Sequence, residues 1–269
     1  MPERQPPRIL TIAGSDSSGG AGIQADLKTI AMLGGYGMSV VTSLTAQNTC
    51  GVQAVHPVPA EFVEQQFFSC ENDMGIDAIK IGMIGRPETA RSLWDVLLTL
   101  DAGTPVVFDP VMVATSGAVL ADGETIAAFR ELMDLATLVT PNLPELAELT
   151  EMPCDTPEQV TEAAQALSDR HDVAVLAKGG HGEGQRLRDL LIDPHSRMAS
   201  FDDERIDTVH THGTGCTLSS AIATLLGHGQ PLENAVRLSR KFVRQAILAA
   251  PGFGAGGGPL GHQAVRSLD

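Results

Sequence analysis

Short apolar runs at residues 8–13, 39–46, 77–82, 104–108, 137–140 and 172–177 alternate with longer stretches of helical periodicity at 20–33, 60–73, 87–100, 125–135, 143–150, 157–170, 215–226 and 232–250. This rhythm leaves few folds open. A brief apolar run bounded by turn formers reads as a strand buried on both faces, and strands joined through helices pair in parallel. The expected fold is therefore α/β, with a central, mostly parallel sheet between two helical layers in a three-layer α/β/α arrangement. Residues 187–192 and 197–201, on either side of Asp193-Pro194, add a hairpin. No linker or repeat interrupts the chain, and 269 residues suit one domain over 1–269. Residues 1–7 and the Gly-rich 251–269 are expected to be loose. In such sheets ligands bind beyond the carboxyl ends of the strands, so the residues directly after each strand are where chemistry is sought.

Charge and composition remove several function classes. The formal charge is −15, and a field of that sign repels nucleic acid and anionic membrane. Aromatic residues make up 4% of the chain, with a single Trp and a single Tyr, too few for a base-stacking platform. Cys50, Cys70, Cys154 and Cys216 are far apart and form no C-x-x-C, which argues against a disulfide framework or a cysteine zinc site and for a reduced, cytoplasmic setting. No apolar run is long enough for a membrane span. If the chain handles phosphates, local amides, a few cations or Mg²⁺ must overcome the global charge.

Walker A, H-E-x-x-H and G-x-S-x-G patterns are absent. One G-x-G-x-x-G, at Gly252, Gly254 and Gly257, follows a helix rather than a strand and is read as flexible tail. Five segments remain. Thr211-His212-Gly213-Thr214-Gly215-Cys216-Thr217 enters an amphipathic helix; its amides and the helix dipole suit an anion, and a thiol at Cys216 in the first turn is expected to have a lowered pKa. Residues 13–22, all small apart from Asp16, are longer than an ordinary strand-to-helix loop, which favours a ligand lying against backbone. Asp109-Pro110-Val111-Met112 sets a carboxylate at a strand end, either for Mg²⁺ or as a plain Asp-Pro turn. Asn142 and Glu145, three apart at a helix start, either face one ion or form a capping box. Lys178-Gly179-Gly180-His181 offers a point charge for a phosphate, or a solvated loop lysine. An anion hole, a lysine, an aspartate and an Asn/Glu pair at one sheet edge are the equipment for phosphoryl transfer.

These segments, together with Ile12–Lys28, Thr45-Ala46-Gln47-Asn48-Thr49 and Lys80-Ile81-Gly82-Met83, resemble the hydroxymethylpyrimidine/phosphomethylpyrimidine kinases from about Ile9 to Ala249, in the right order. That resemblance implies a ribokinase-like fold. It also implies ATP- and Mg²⁺-dependent phosphorylation of 4-amino-5-hydroxymethyl-2-methylpyrimidine and then of its monophosphate, in thiamine diphosphate biosynthesis. Gly14, Asp26, Gln47 and Met83 would surround the aminopyrimidine, with Val111 and Cys216 closing the pocket. Asp109, Asn142, Glu145, Lys178 and Thr211 would serve the nucleotide, with Asp109 and Glu145 holding Mg²⁺ through water. Gly213, Thr214 and Gly215 would form the anion hole, and Lys178 would contact the transferred phosphate. Most ribokinase-like enzymes carry Asp where Cys216 stands, so Cys216 is the candidate base, or else mainly shapes the pocket. A homodimer follows from the resemblance alone. Residues 114–122 are the lid candidate. A pyridoxal kinase of the same branch, and a non-catalytic pyrimidine sensor that kept the fold, are the competing readings.

Overall fold

Nine strands lie side by side in the computed structural model, which describes residues 5–113, 117, 120–181 and 185–268. They are β1 (Arg8–Asp16), β2 (Tyr36–Asn48), β3 (Gly51–Pro57), β4 (Ala78–Ile81), β5 (Val106–Phe108), β6 (Leu138–Val139), β7 (Ala174–Ala177), β8 (Arg186–Ile192) and β9 (Met198–Glu204), ordered 3-2-1-4-5-6-7-8-9. β1 pairs in parallel with both β2 and β4, and parallel pairing continues through β5, β6 and β7. The β2–β3 ribbon at one edge and the β7–β8–β9 meander at the other are antiparallel. β4, β5, β6 and β7 are buried at every position, as a strand covered on both faces must be.

Alternate residues of each strand feed two cores. Leu10, Ile12, Val40, Ile79, Ile81 and Phe108 face a layer made by α2 (Ala60–Met74), α3 (Pro87–Leu97), α4 (Gly123–Met133), α5 (Leu143–Thr150) and α6 (Pro157–His171). Ile9, Ala78, Val107 and Leu138 face α7 (Thr214–Gly227) and α8 (Leu232–Leu248), beside α1 (Gly22–Met32). Each fully buried Leu, Ile or Phe contributes roughly 1.5–3 kcal/mol, and Phe108 adds an edge-to-face contact with Phe129 at 5.2 Å. The expected three-layer α/β/α architecture is the one observed. The parallel strands all end at one edge, where Asp16 closes β1 and Gly82, Asp109, Thr140 and Lys178 follow β4, β5, β6 and β7.

Four expectations need correction or completion. β3 was not expected, because most of its residues are exposed and show no apolar run. Of the lid candidate, residues 114–116, 118 and 119 lie outside the described residues. The 251–269 segment is packed rather than loose: Leu260, His262 and Val265 are buried. His212 N–H donates to Gly258 O at 3.2 Å and Gly261 N–H to Ala246 O at 2.8 Å. Glycine makes this fit possible, since a Cβ on Gly256 would lie 2.1 Å from Thr49 O. At the other terminus Pro7 is buried and its carbonyl accepts from Tyr36 N–H at 2.8 Å.

Candidate active site

The sheet edge opens into a cavity of about 970 Å³. α7 begins on its wall. Gly213 is the N-cap with φ 83°, a left-handed conformation that favours glycine, and a Cβ there would lie 1.9 Å from Gly20 O. Thr214 N–H bonds back to Thr211 O at 3.2 Å, and Thr217 N–H bonds Gly213 O at 2.9 Å. The amides of Gly215 and Cys216 lie between these two, in the turn where a helix has no partners of its own for its N–H groups. Thr211, Gly213, Thr214, Gly215 and Cys216 all line the cavity.

Opposite them sits a compact charge cluster. Lys178 Nζ donates to Asp109 Oδ1 at 2.7 Å, and Thr140 Oγ1 donates to the same oxygen at 3.1 Å. Asp109 Oδ2 meets Ser219 Oγ at 3.4 Å, one turn into α7. Burial acts to lower the Lys178 pKa, but Asp109 and Glu145 outweigh it and hold the ammonium above its ordinary value. Burial pushes the Glu145 carboxyl up to about 7, against the pull of Lys178. Both open readings of Asn142 and Glu145 have a counterpart here. Asn142 Oδ1 accepts Glu145 N–H at 2.9 Å and Glu145 Oε2 accepts Asn142 N–H at 2.8 Å, a reciprocal capping box, while both residues also border the cavity. Among the described residues no three His, Cys, Asp or Glu side chains gather as a metal cage. Mg²⁺ keeps several waters and is often held by one or two carboxylates plus phosphates, and Asp109 and Glu145 fit that mode.

The other end of the cavity is built from backbone and soft side chains. Gly14, Gln47, Met83 and Val111 line it. A Cβ on Gly14 would meet Met83 Sδ at 3.1 Å, so the strand backbone lies bare toward the space. Gln47 is held by Thr45 Oγ1 at 3.2 Å and by His212 at 3.3 Å. His212 Nε2 also lies 2.9 Å from Asp16 Oδ2, a pairing that sequence spacing could not show. Asp16 gathers the loop after β1 by accepting N–H groups from Ser18, Gly20 and Ala21. Burial opposes its charge, but His212, Ser18 and these amides hold it down at about 2.

Two expected roles change. Asp26 does not face the cavity. It is fully buried, paired with Lys80 Nζ at 2.8 Å and hydrogen-bonded by Thr11 and Ser220, each at 2.6 Å. A helical carboxylate near a ligand loop looks the same in sequence whether it points out or in; its partner lies 54 residues away. Cys216 does line the cavity, but its thiol is not lowered. Burial pushes it up to about 11, outweighing Lys80 and the Gly22 N–H. A helix N-terminus lowers a thiol pKa only where solvent or cations also favour the thiolate.

The family model described as phosphomethylpyrimidine kinase matches residues 16–261. The chain is 47% identical to the hydroxymethylpyrimidine/phosphomethylpyrimidine kinase of Rhizobium meliloti, over 94% of this chain and 96% of that protein. It is 44% identical to the thiamine biosynthesis multifunctional protein of Corynebacterium efficiens over 96% of this chain, but spans only 35% of that protein's length. Among solved structures it is similar to the Staphylococcus aureus pyridoxal kinase in complex with AMP-PCP and pyridoxal. The TM-score is 0.87 at 32% identity, covering 96% of this chain and 94% of that one.

Proposed function

This chain belongs to the phosphomethylpyrimidine kinase family, and we propose that it moves a phosphoryl group from ATP to the hydroxymethyl group of 4-amino-5-hydroxymethyl-2-methylpyrimidine, and then phosphorylates the monophosphate, toward thiamine diphosphate. One observation carries the reading. A single cavity joins the amides at the start of α7 and the Lys178–Asp109 pair to a pocket walled by Gly14, Gln47 and Met83. That is room for a polyphosphate and a small polar ring in contact.

In this reading the Gly215 and Cys216 amides and Lys178 take up the negative charge that grows as the acceptor oxygen bonds to phosphorus and the bond to ADP breaks. Mg²⁺, held through water by Asp109 and Glu145, would offset phosphate charge when bound. Gln47 would hydrogen-bond the ring, and Gly14 and Met83 would set its plane. Cys216 stands where a base would receive the acceptor proton. If its thiol stays neutral, charge stabilisation carries most of the rate. The same proposal includes a cytoplasmic setting and a homodimer. All four cysteines are free, and among the described residues no helix is long and apolar enough to cross a membrane. Leu44 and Val55 stand exposed on the β2–β3 ribbon.

Similarity to a structure that holds pyridoxal favours a second reading, in which a hydroxymethyl-bearing pyridine is the acceptor. Incubation with ATP, Mg²⁺ and hydroxymethylpyrimidine, followed by mass analysis, tests both. Mono- and diphosphate products are expected. No phosphorylated product, or a better kcat/KM for pyridoxal, overturns the assignment.

A further inference from the structure

Beneath the pyrimidine end of the cavity lies a charge that the scheme above does not use. Lys80 is 0% exposed and comes from β4, whose other residues are apolar. Burying an ammonium costs several kcal/mol unless it is well paired, so its presence calls for a physical reason. Asp26 supplies part of one. Nζ donates to Asp26 Oδ2 at 2.8 Å, while Thr11 and Ser220 satisfy the same carboxylate. An ammonium has three N–H donors, yet among the described residues Asp26 is the one hydrogen-bond acceptor that Lys80 has.

The packing shows where the remaining donors lie. On α1, Gly22 and Asp26 are one turn apart; on α7, Cys216 and Ser220 are one turn apart; and the two helices pack together. Ser220 meets Asp26 at 2.6 Å. One turn nearer the cavity, Gly22 on α1 and Cys216 on α7 both reach its wall, Cys216 on the same helix face as Ser220. Lys80 reaches along β4 toward that same end, because a Cβ on Gly82, two residues further on, would lie 2.5 Å from Nζ. The ammonium is therefore held by Asp26 on one side and turned on the other toward Gly82, at the end of the α1–α7 packing that carries Gly22 and Cys216.

We infer that Lys80, anchored by Asp26, is the buried counter-charge of the Cys216 sulphur, a positioning residue that favours the thiolate whenever the thiol gives up its proton. The other charged groups that act on the sulphur are Asp26 and Asp109, which disfavour the thiolate, and Lys178, which lies on the nucleotide side. Of these, Lys80 is the strongest influence opposing burial. The value of this for catalysis rests on the base role proposed for Cys216; the counter-charge itself does not.

The test follows iodoacetamide alkylation of the full chain at pH 8 by peptide mass spectrometry, with Cys70 and Cys154 as internal references. Lys80→Met is expected to slow Cys216 alkylation about tenfold or more, one pKa unit being tenfold in thiolate, and to leave the reference cysteines unchanged. Looser packing alone would speed the reaction by exposing the sulphur. An unchanged or faster rate therefore overturns the inference. If Lys80→Met does not fold, Gly82→Ala displaces Nζ instead, with the same direction expected and the same result overturning it. Kinetics of Cys216→Ala report separately on the base role. A variant that keeps kcat removes that role and leaves the alkylation result standing.

Discussion

Replacing Gly213 by alanine perturbs the proposed phosphate site in a way the geometry makes calculable. At φ 83° an L-residue pays roughly 1–2 kcal/mol of backbone strain. The new Cβ would also lie 1.9 Å from Gly20 O, where ordinary contact begins near 3.4 Å, so about 1.5 Å must be cleared. Neither side yields easily. Gly20 is tied through its amide to Asp16 Oδ2 at 3.0 Å, and Thr217 N–H holds Gly213 O at 2.9 Å. The start of α7 then shifts by about an ångström, and a misplacement of that size costs about 10²-fold in rate. A coupled ADP-release assay is expected to show kcat down at least about 100-fold, with the thermal midpoint lowered by roughly 5–10 °C for 2–3 kcal/mol lost. Gly103→Ala separates strain from displacement, because Gly103 has φ 99° and nothing near its Cβ position. It should lose stability and keep kcat. A Gly213→Ala enzyme with kcat within about threefold of the parent refutes the cradle at α7.

Three further outcomes follow from the same geometry. Cys216→Ala should lower kcat about 10²–10⁴-fold if the thiolate takes the acceptor proton; a loss under about tenfold removes that role. Asp26→Asn strands the buried Lys80 charge and should cost roughly 3–5 kcal/mol in denaturant unfolding; a loss below about 1 kcal/mol contradicts a tight pair. Burial, with Lys28 adding to it, pushes His262 down to about 4, so the folded state holds the ring neutral and its contribution is complete above about pH 6.5 and lost as pH falls toward 4. Glu145, pushed up to about 7, works the opposite way: its contribution is present at low pH and lost as pH rises through 7. Comparison with His262→Gln cancels the Glu145 effect. Between pH 6.5 and 5 the parent should lose about 2 kcal/mol more than the variant, and equal losses refute the neutral buried histidine.

Sequence pattern revealed what is repetitive or local. The strand–helix rhythm predicts the layers and the binding edge because burial on two faces demands continuous apolar runs. The Asn142–Glu145 spacing makes a capping box one of two readings because both partners lie within one turn, and the box forms. What stayed hidden depends on distant partners. Asp26 reads by resemblance as a pocket residue until Lys80 is brought beside it, and Cys216 reads as an activated thiol until its burial is known. β3 lacks an apolar run because it is a ribbon with solvent on both sides. The Gly-rich tail reads as loose, but its glycines are what allow it to lie against Thr49. His262 then fixes it to Thr217 at 2.8 Å.

In the proposed reaction the transferred phosphate rests at the start of α7. A crystal structure with a non-hydrolysable ATP analogue tests it directly. The terminal phosphate should lie about 3 Å from the Gly215 and Cys216 amides, with Lys178 Nζ turned toward it. A terminal phosphate seated instead on the basic side of α8, at Arg237, Lys241 and Arg244, would contradict the account.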